Sequence, residues 1–119
     1  MQAVQSAFAS PRWLCFLGST MLYHSVYFWL KPELTAVQRA DFRRGVESLA
    51  GIKCVEQVGV GAPAATERRA VIDVSYDVAL IVICKNVAAQ KAYQVDPIHL
   101  AFVEKFKGCW TRVQIYDSQ

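Results

Sequence analysis

Two runs of this chain, Leu22–Leu30 and Tyr76–Cys84, are rich in aromatic and β-branched residues and apolar on both of their alternating faces. In the first, His24, Val26, Phe28 and Leu30 alternate with Tyr23, Ser25, Tyr27 and Trp29; in the second, Val78, Leu80 and Val82 alternate with Ala79, Ile81 and Ile83. A strand that faces water on one side alternates apolar with polar residues, so strands of this kind belong in the middle of a sheet covered on both sides. That requirement limits the chain to folds with a layer on each face of a sheet.

The segments between them supply one of those layers. Lys31-Pro32 ends the first run, and Thr35 followed by Gln38 reads as a capping box. The helix it opens is expected to reach about Ala50, with Val37, Phe42, Val46 and Leu49 inward, Arg39, Arg43, Arg44 and Glu47 in water, and Gly51 as the stop. A second strand is expected at about Cys54 to Val60, ending at Gly61 and Pro63, and residues 62–75 form a polar connection. Asn86 caps the next helix, with Gln90 at N3, and that helix runs to Val95. Asp96-Pro97 breaks it and restarts a second piece at once, ending near Gly108. Cys109 to Asp117 is the last strand. The order β-α-β-β-α-β is the split arrangement of ferredoxin-like α+β domains, a four-stranded antiparallel sheet with its first and third strands central and its helices on one face.

The helices cover one face only, and the other needs a cover. The chain has 119 residues, 54% of them hydrophobic and 19% charged, more apolar side chain than one small core hides. A second copy, packed sheet face to sheet face as a barrel-like sandwich, is the expected partner. The domain is expected to begin at Met21, with residues 1–20 as an N-terminal extension. Residues 13–30 carry no formal charge except on a protonated His24, yet Gly18-Ser19-Thr20 interrupts them and Tyr23, His24, Ser25, Tyr27 and Trp29 add polarity, so neither a membrane span nor a signal segment is expected.

A net charge of +3, spread evenly, gives no basic stripe for nucleic acid. Cys15, Cys54, Cys84 and Cys109 are far apart, without a paired motif, and read as small hydrophobes of a cytoplasmic protein rather than disulfide partners or zinc ligands. Arg68 and Arg69 of the polar connection are a solvated pair or an anion clamp, and Trp13, Trp29 and Trp110 are core or interface aromatics.

Both histidines fall where chemistry is possible. His99 sits at N3 of the helix restarted by Pro97, where helix N–H groups disfavour the imidazolium and leave a neutral base. Tyr93, across the break, would donate to a developing oxyanion, and His24, from the first strand, would orient His99 or hold a carbonyl. Phe42, Val46 and Phe102 would line an apolar pocket beside them, or fill that space if the protein is a non-catalytic structural oligomer. The set suits proton abstraction beside a carbonyl on a small hydrophobic ligand, with no metal and no cofactor.

The segments Tyr23-His24-Ser25-Val26-Tyr27-Phe28-Trp29-Leu30-Lys31-Pro32, Tyr76-Asp77-Val78-Ala79-Leu80-Ile81 and Ala92-Tyr93-Gln94-Val95-Asp96-Pro97-Ile98-His99-Leu100-Ala101-Phe102-Val103 together resemble the stress-responsive α/β-barrel (Dabb) domain family. The third, a tyrosine followed by x-x-Asp-Pro-x-His, is the most specific. The resemblance implies a ferredoxin-fold dimer whose two sheets form a barrel. It also implies possible cofactor-free aldol or cyclase chemistry, because a plant polyketide cyclase of the family has an essential histidine and tyrosine that correspond to His99 and Tyr93, and a strand histidine that corresponds to His24. A further pocket tyrosine of that enzyme corresponds to Val46, a departure that weakens transfer of the reaction itself.

Overall fold

A computed structural model of the chain describes residues 21–119; the expected N-terminal extension and Trp13 and Cys15 lie outside the described residues. The elements are β1 (Leu22–Leu30), α1 (Ala36–Glu47) running into a 3-10 turn (Ser48–Gly51), β2 (Gln57–Gly61), β3 (Val78–Cys84), α2 (Val87–Val95), α3 (Pro97–Phe106), a second 3-10 turn (Lys107–Cys109) and β4 (Trp110–Ser118). The strands form one antiparallel sheet in the order β2-β3-β1-β4, which puts the two doubly apolar runs at its centre.

Alternation along β1 and β3 fixes which side chains meet the helices. Leu22, His24, Val26, Phe28 and Leu30 of β1 are buried, as are Val78, Leu80, Val82 and Cys84 of β3, while the residues between them are partly or fully exposed on the other face. On the helix side Phe42, Val46 and Leu49 are completely buried, and Phe102 and Phe106 nearly so. Val37, expected inward, is 74% exposed: at the second position of α1 it lies on the solvent side of a helix whose core stripe begins at Phe42.

Helix ends follow the side chains available. The Thr35 hydroxyl accepts from the Gln38 N–H (3.1 Å) while Gln38 Oε1 accepts from the Thr35 N–H (2.8 Å), a complete capping box. α1 tightens into its 3-10 turn from Ser48, short of the expected α-helical end at Ala50. Asn86 caps α2 through the N–H of Ala89, which is N3 because the helix starts at Val87; Gln90 is one place further and bonds Gln94 instead. β2 begins at Gln57, not Cys54, because its pairing with β3 opens with the Glu56 N–H donating to the Ile83 carbonyl. β3 starts at Val78 rather than Tyr76, after Asp77 has turned to bond β1.

Asp77 ties the sheet to the start of α1. Its Oδ2 accepts from the Leu30 N–H (2.7 Å), its N–H donates to the Phe28 carbonyl (2.8 Å), and its Oδ1 lies 3.5 Å from Arg39, which also donates to the Lys31 and Leu34 carbonyls. Asp77→Ala leaves the Leu30 N–H without its acceptor and is expected to lower the unfolding free energy in urea by about 1–3 kcal/mol; an unchanged midpoint would show that water replaces the carboxylate at no loss.

Candidate functional site

The helix break at Asp96-Pro97 is built from local chemistry. Asp96 ends α2 with extended backbone, which the following proline favours, and its carboxylate accepts from the Ile98 N–H (2.8 Å), capping α3 with Pro97 at N1. The break carries Tyr93 on the last turn of α2 and His99 on the first turn of α3 toward the same place. Their rings are 4.7 Å apart between centroids, and Tyr93 meets the His24 ring edge-on at 5.7 Å. All three proposed side chains therefore come together, with Tyr93 (1% exposed) between the imidazoles and His24 (3% exposed) beneath.

Each group's partners decide what it can do. His99 Nδ1 lies 3.1 Å from the Gln94 carbonyl, and a carbonyl only accepts, so Nδ1 carries the proton and Nε2 keeps its lone pair. Burial pushes the His99 pKa below the ordinary histidine value, opposed by the Gln94 hydrogen bond and aided by nearby His24. Burial also pushes the Tyr93 phenol well above its ordinary range, with the neighbouring cysteines Cys84 and Cys54 adding to the effect, so it stays a neutral donor. The Cys84 thiol is raised in the same way. Among the described residues the Tyr93 hydroxyl has no hydrogen-bond partner, although the ring is buried. A buried hydroxyl without a partner is costly, by about 1–3 kcal/mol, and such groups call for an explanation.

His24 has a partner that periodicity does not reveal. Its Nδ1 lies 2.5 Å from Asp117 Oδ1, across the β1–β4 pair. Asp117 reaches the helix face because β4 is bulged. Leu30 pairs with Trp110 but Trp29 pairs with Arg112, leaving Thr111 extra, and beyond it the inward parity of β4 changes. Trp110 packs on Phe28 and Phe42 in the core, so strict alternation from Trp110 would turn Asp117 to the opposite face. The half-exposed Asp117 and the half-buried His99 are the solvent-side members of the cluster.

Phe42 and Phe102 lie in a neighbouring ring cluster, with Phe28, Phe106 and Trp110 at centroid distances of 5.2–6.2 Å. Phe28 follows His24 by four positions on β1, roughly 13 Å along the strand. Val46 is completely buried in the same core. Arg68 donates to the Ala64 and Thr66 carbonyls of its own loop. Among the described residues no group of three or more His, Cys, Asp or Glu could hold a metal, and no helix is long and apolar enough to cross a membrane.

The lowered His99 pKa gives stability a direction with pH. The unfolded chain takes up this proton first as pH falls, so His99 favours the folded state fully above the unfolded value of about 6.5 and progressively less below it, until the folded pKa is passed. Urea midpoints measured through this window should fall more steeply with acid in the wild type than in His99→Gln; equal slopes would contradict a buried neutral imidazole.

A family model described as the stress responsive A/B barrel domain (Dabb) matches residues 22–119. No curated protein matches the chain. Among solved structures, a dimeric ferredoxin-like protein of unknown function from Thermobifida fusca is 18% identical with a TM-score of 0.68, covering 85% of this chain and 92% of that one. A Dabb family protein with a ferredoxin-like fold from Mesorhizobium loti is 20% identical, TM-score 0.67, covering 83% and 95%. A hydroxynitrile lyase from Passiflora edulis is 16% identical, TM-score 0.59, covering 82% and 91%. At these identities the structures share the fold, and function is argued from the site. Given the family match over nearly all of the described residues, this chain belongs to the stress-responsive A/B barrel (Dabb) family.

Proposed function

We propose that this Dabb protein is a homodimer packed through the open face of its sheet, and that the cluster on the helix side binds a small carbonyl-containing ligand and moves a proton on it without a cofactor. The observation that carries the second half is the buried Tyr93, its ring flanked by the two imidazoles and its hydroxyl without a hydrogen-bond partner among the described residues. In this reading His99 Nε2 takes a proton from the carbon beside the carbonyl, the electron pair moves onto the carbonyl oxygen, and the Tyr93 O–H hydrogen-bonds the enolate that forms. His24, held through Nδ1 by Asp117, offers Nε2 to the ligand. One neighbour of the same fold is described as a hydroxynitrile lyase, so an enzyme has been built on this architecture.

Support for the homodimer comes from the open face, where Tyr27, Trp29, Ile81 and Ile83 are only partly covered by their own protomer, and from neighbours described as dimeric. A non-catalytic structural oligomer is the second reading, favoured by the ring cluster in which Phe42 and Phe102 pack on each other and on Phe28, further along β1 from His24.

Titration with pentane-2,4-dione, followed by imidazole 1H–15N NMR, tests the ligand half. The His24 and His99 ring nitrogens are expected to shift saturably; imidazole signals that stay fixed at high diketone would support the structural oligomer.

A further inference from the structure

On the opposite face of the sheet from His24, the end of the long loop, β1 and β4 line a half-open cavity of about 290 Å³. Its floor is Tyr27, which meets Tyr76 edge-on at 5.0 Å and Tyr116 at 6.4 Å. Trp29 forms another wall, its indole N–H held by Ser75 Oγ at 3.0 Å. The Arg112 guanidinium lies over that indole, 4.1 Å from the ring centroid. Among the described residues the guanidinium donates to Gln114 Oε1 at 3.4 Å and has no carboxylate within ion-pair distance. Asp73, the acidic residue of the lining, is anchored by the Ser75 N–H at 2.8 Å.

We propose that this cavity is a second small-molecule site, for a single-ring aromatic carboxylate. Tyrosine edges and an indole accept a flat ring, and a guanidinium fixed by stacking offers N–H donors in the geometry a carboxylate matches. The volume falls at the lower end of small-molecule pockets, about 300–1,000 Å³, and suits one ring rather than a long chain. A further argument rests on the homodimer reading. A second sheet packed on this face would bury Arg112, which feels the Asp73 carboxylate of the same lining but makes no ion pair with it among the described residues, and burying a cation without a directly paired charge is disfavoured. A bound carboxylate supplies that charge inside the interface.

Calorimetric titration of the full chain with 4-hydroxybenzoate tests the site, and sedimentation velocity on the same sample reports assembly. Saturable binding is expected, at least tenfold weaker for the neutral 4-hydroxybenzamide on the unaltered protein, at least tenfold weaker in Arg112→Gln, and unchanged in His99→Ala. Absence of binding, equal affinity for acid and amide, or loss in His99→Ala with retention in Arg112→Gln would overturn the proposal; the amide comparison decides the matter even if Arg112→Gln folds poorly. A monomer that binds the acid keeps this site and removes the dimer. A dimer that does not bind it removes this site alone.

Discussion

Replacing His99 with alanine is expected to reduce deuterium incorporation from solvent into the central carbon of a 1,3-diketone by about 10²–10⁴-fold, the usual worth of a positioned general base. The expectation follows from the proton inventory of the cluster. Gln94 fixes the proton of His99 on Nδ1, so the basic atom is Nε2, and burial keeps the ring neutral. Tyr93, driven far toward its protonated form by the same burial, is a donor and does not replace the lost base. His24 is held through Nδ1 by Asp117 and carried by the central strand, so its ring does not move into the position that His99 leaves. Exchange catalysed equally by wild type and His99→Ala would assign the activity to another group.

The largest effect on stability is expected at Phe42. The side chain is completely buried on α1 and packs against four rings, with centroids of 5.2 Å to Phe28, 6.0 Å to Phe102, 5.7 Å to Phe106 and 6.1 Å to Trp110. Those rings belong to β1, α3 and β4, so truncation loosens the contact between both layers at once. Phe42→Ala is expected to lower the unfolding free energy by about 3–5 kcal/mol, the range for removing a large buried aromatic, measured by urea denaturation. A loss below about 1 kcal/mol would mean that the neighbouring rings close over the space.

Most of this architecture could be read from local chemistry. The doubly apolar runs at Leu22–Leu30 and Tyr76–Cys84 placed β1 and β3 at the centre, and the Asp-Pro step located the break that brings Tyr93 beside His99. Such signals are short-range, written in alternation, caps and the backbone preferences of proline. What escaped is set by long-range register. Asp117 joins His24 only because Thr111 is extra in β4, and nothing within Cys109–Asp117 distinguishes a bulged strand from a regular one. The start of β2 escaped for a related reason, since pairing with Ile83 rather than the apolar pattern decides where Cys54 leaves the turn. Val37 was misplaced because an apolar residue in a first helical turn fits the sequence pattern equally well whether or not the core reaches that far.

In the proposed function the polar groups of the cluster are arranged for a ligand rather than for the fold. The unfolding free energy of Tyr93→Phe, compared with wild type in urea, tests it most directly, because this change deletes one buried oxygen and keeps the ring packing. Tyr93→Phe is expected to be as stable as wild type or more stable by about 1–2 kcal/mol, since a hydroxyl without a partner among the described residues is removed from the interior. Destabilisation by more than about 1 kcal/mol would contradict it, showing that the hydroxyl holds the folded protein together.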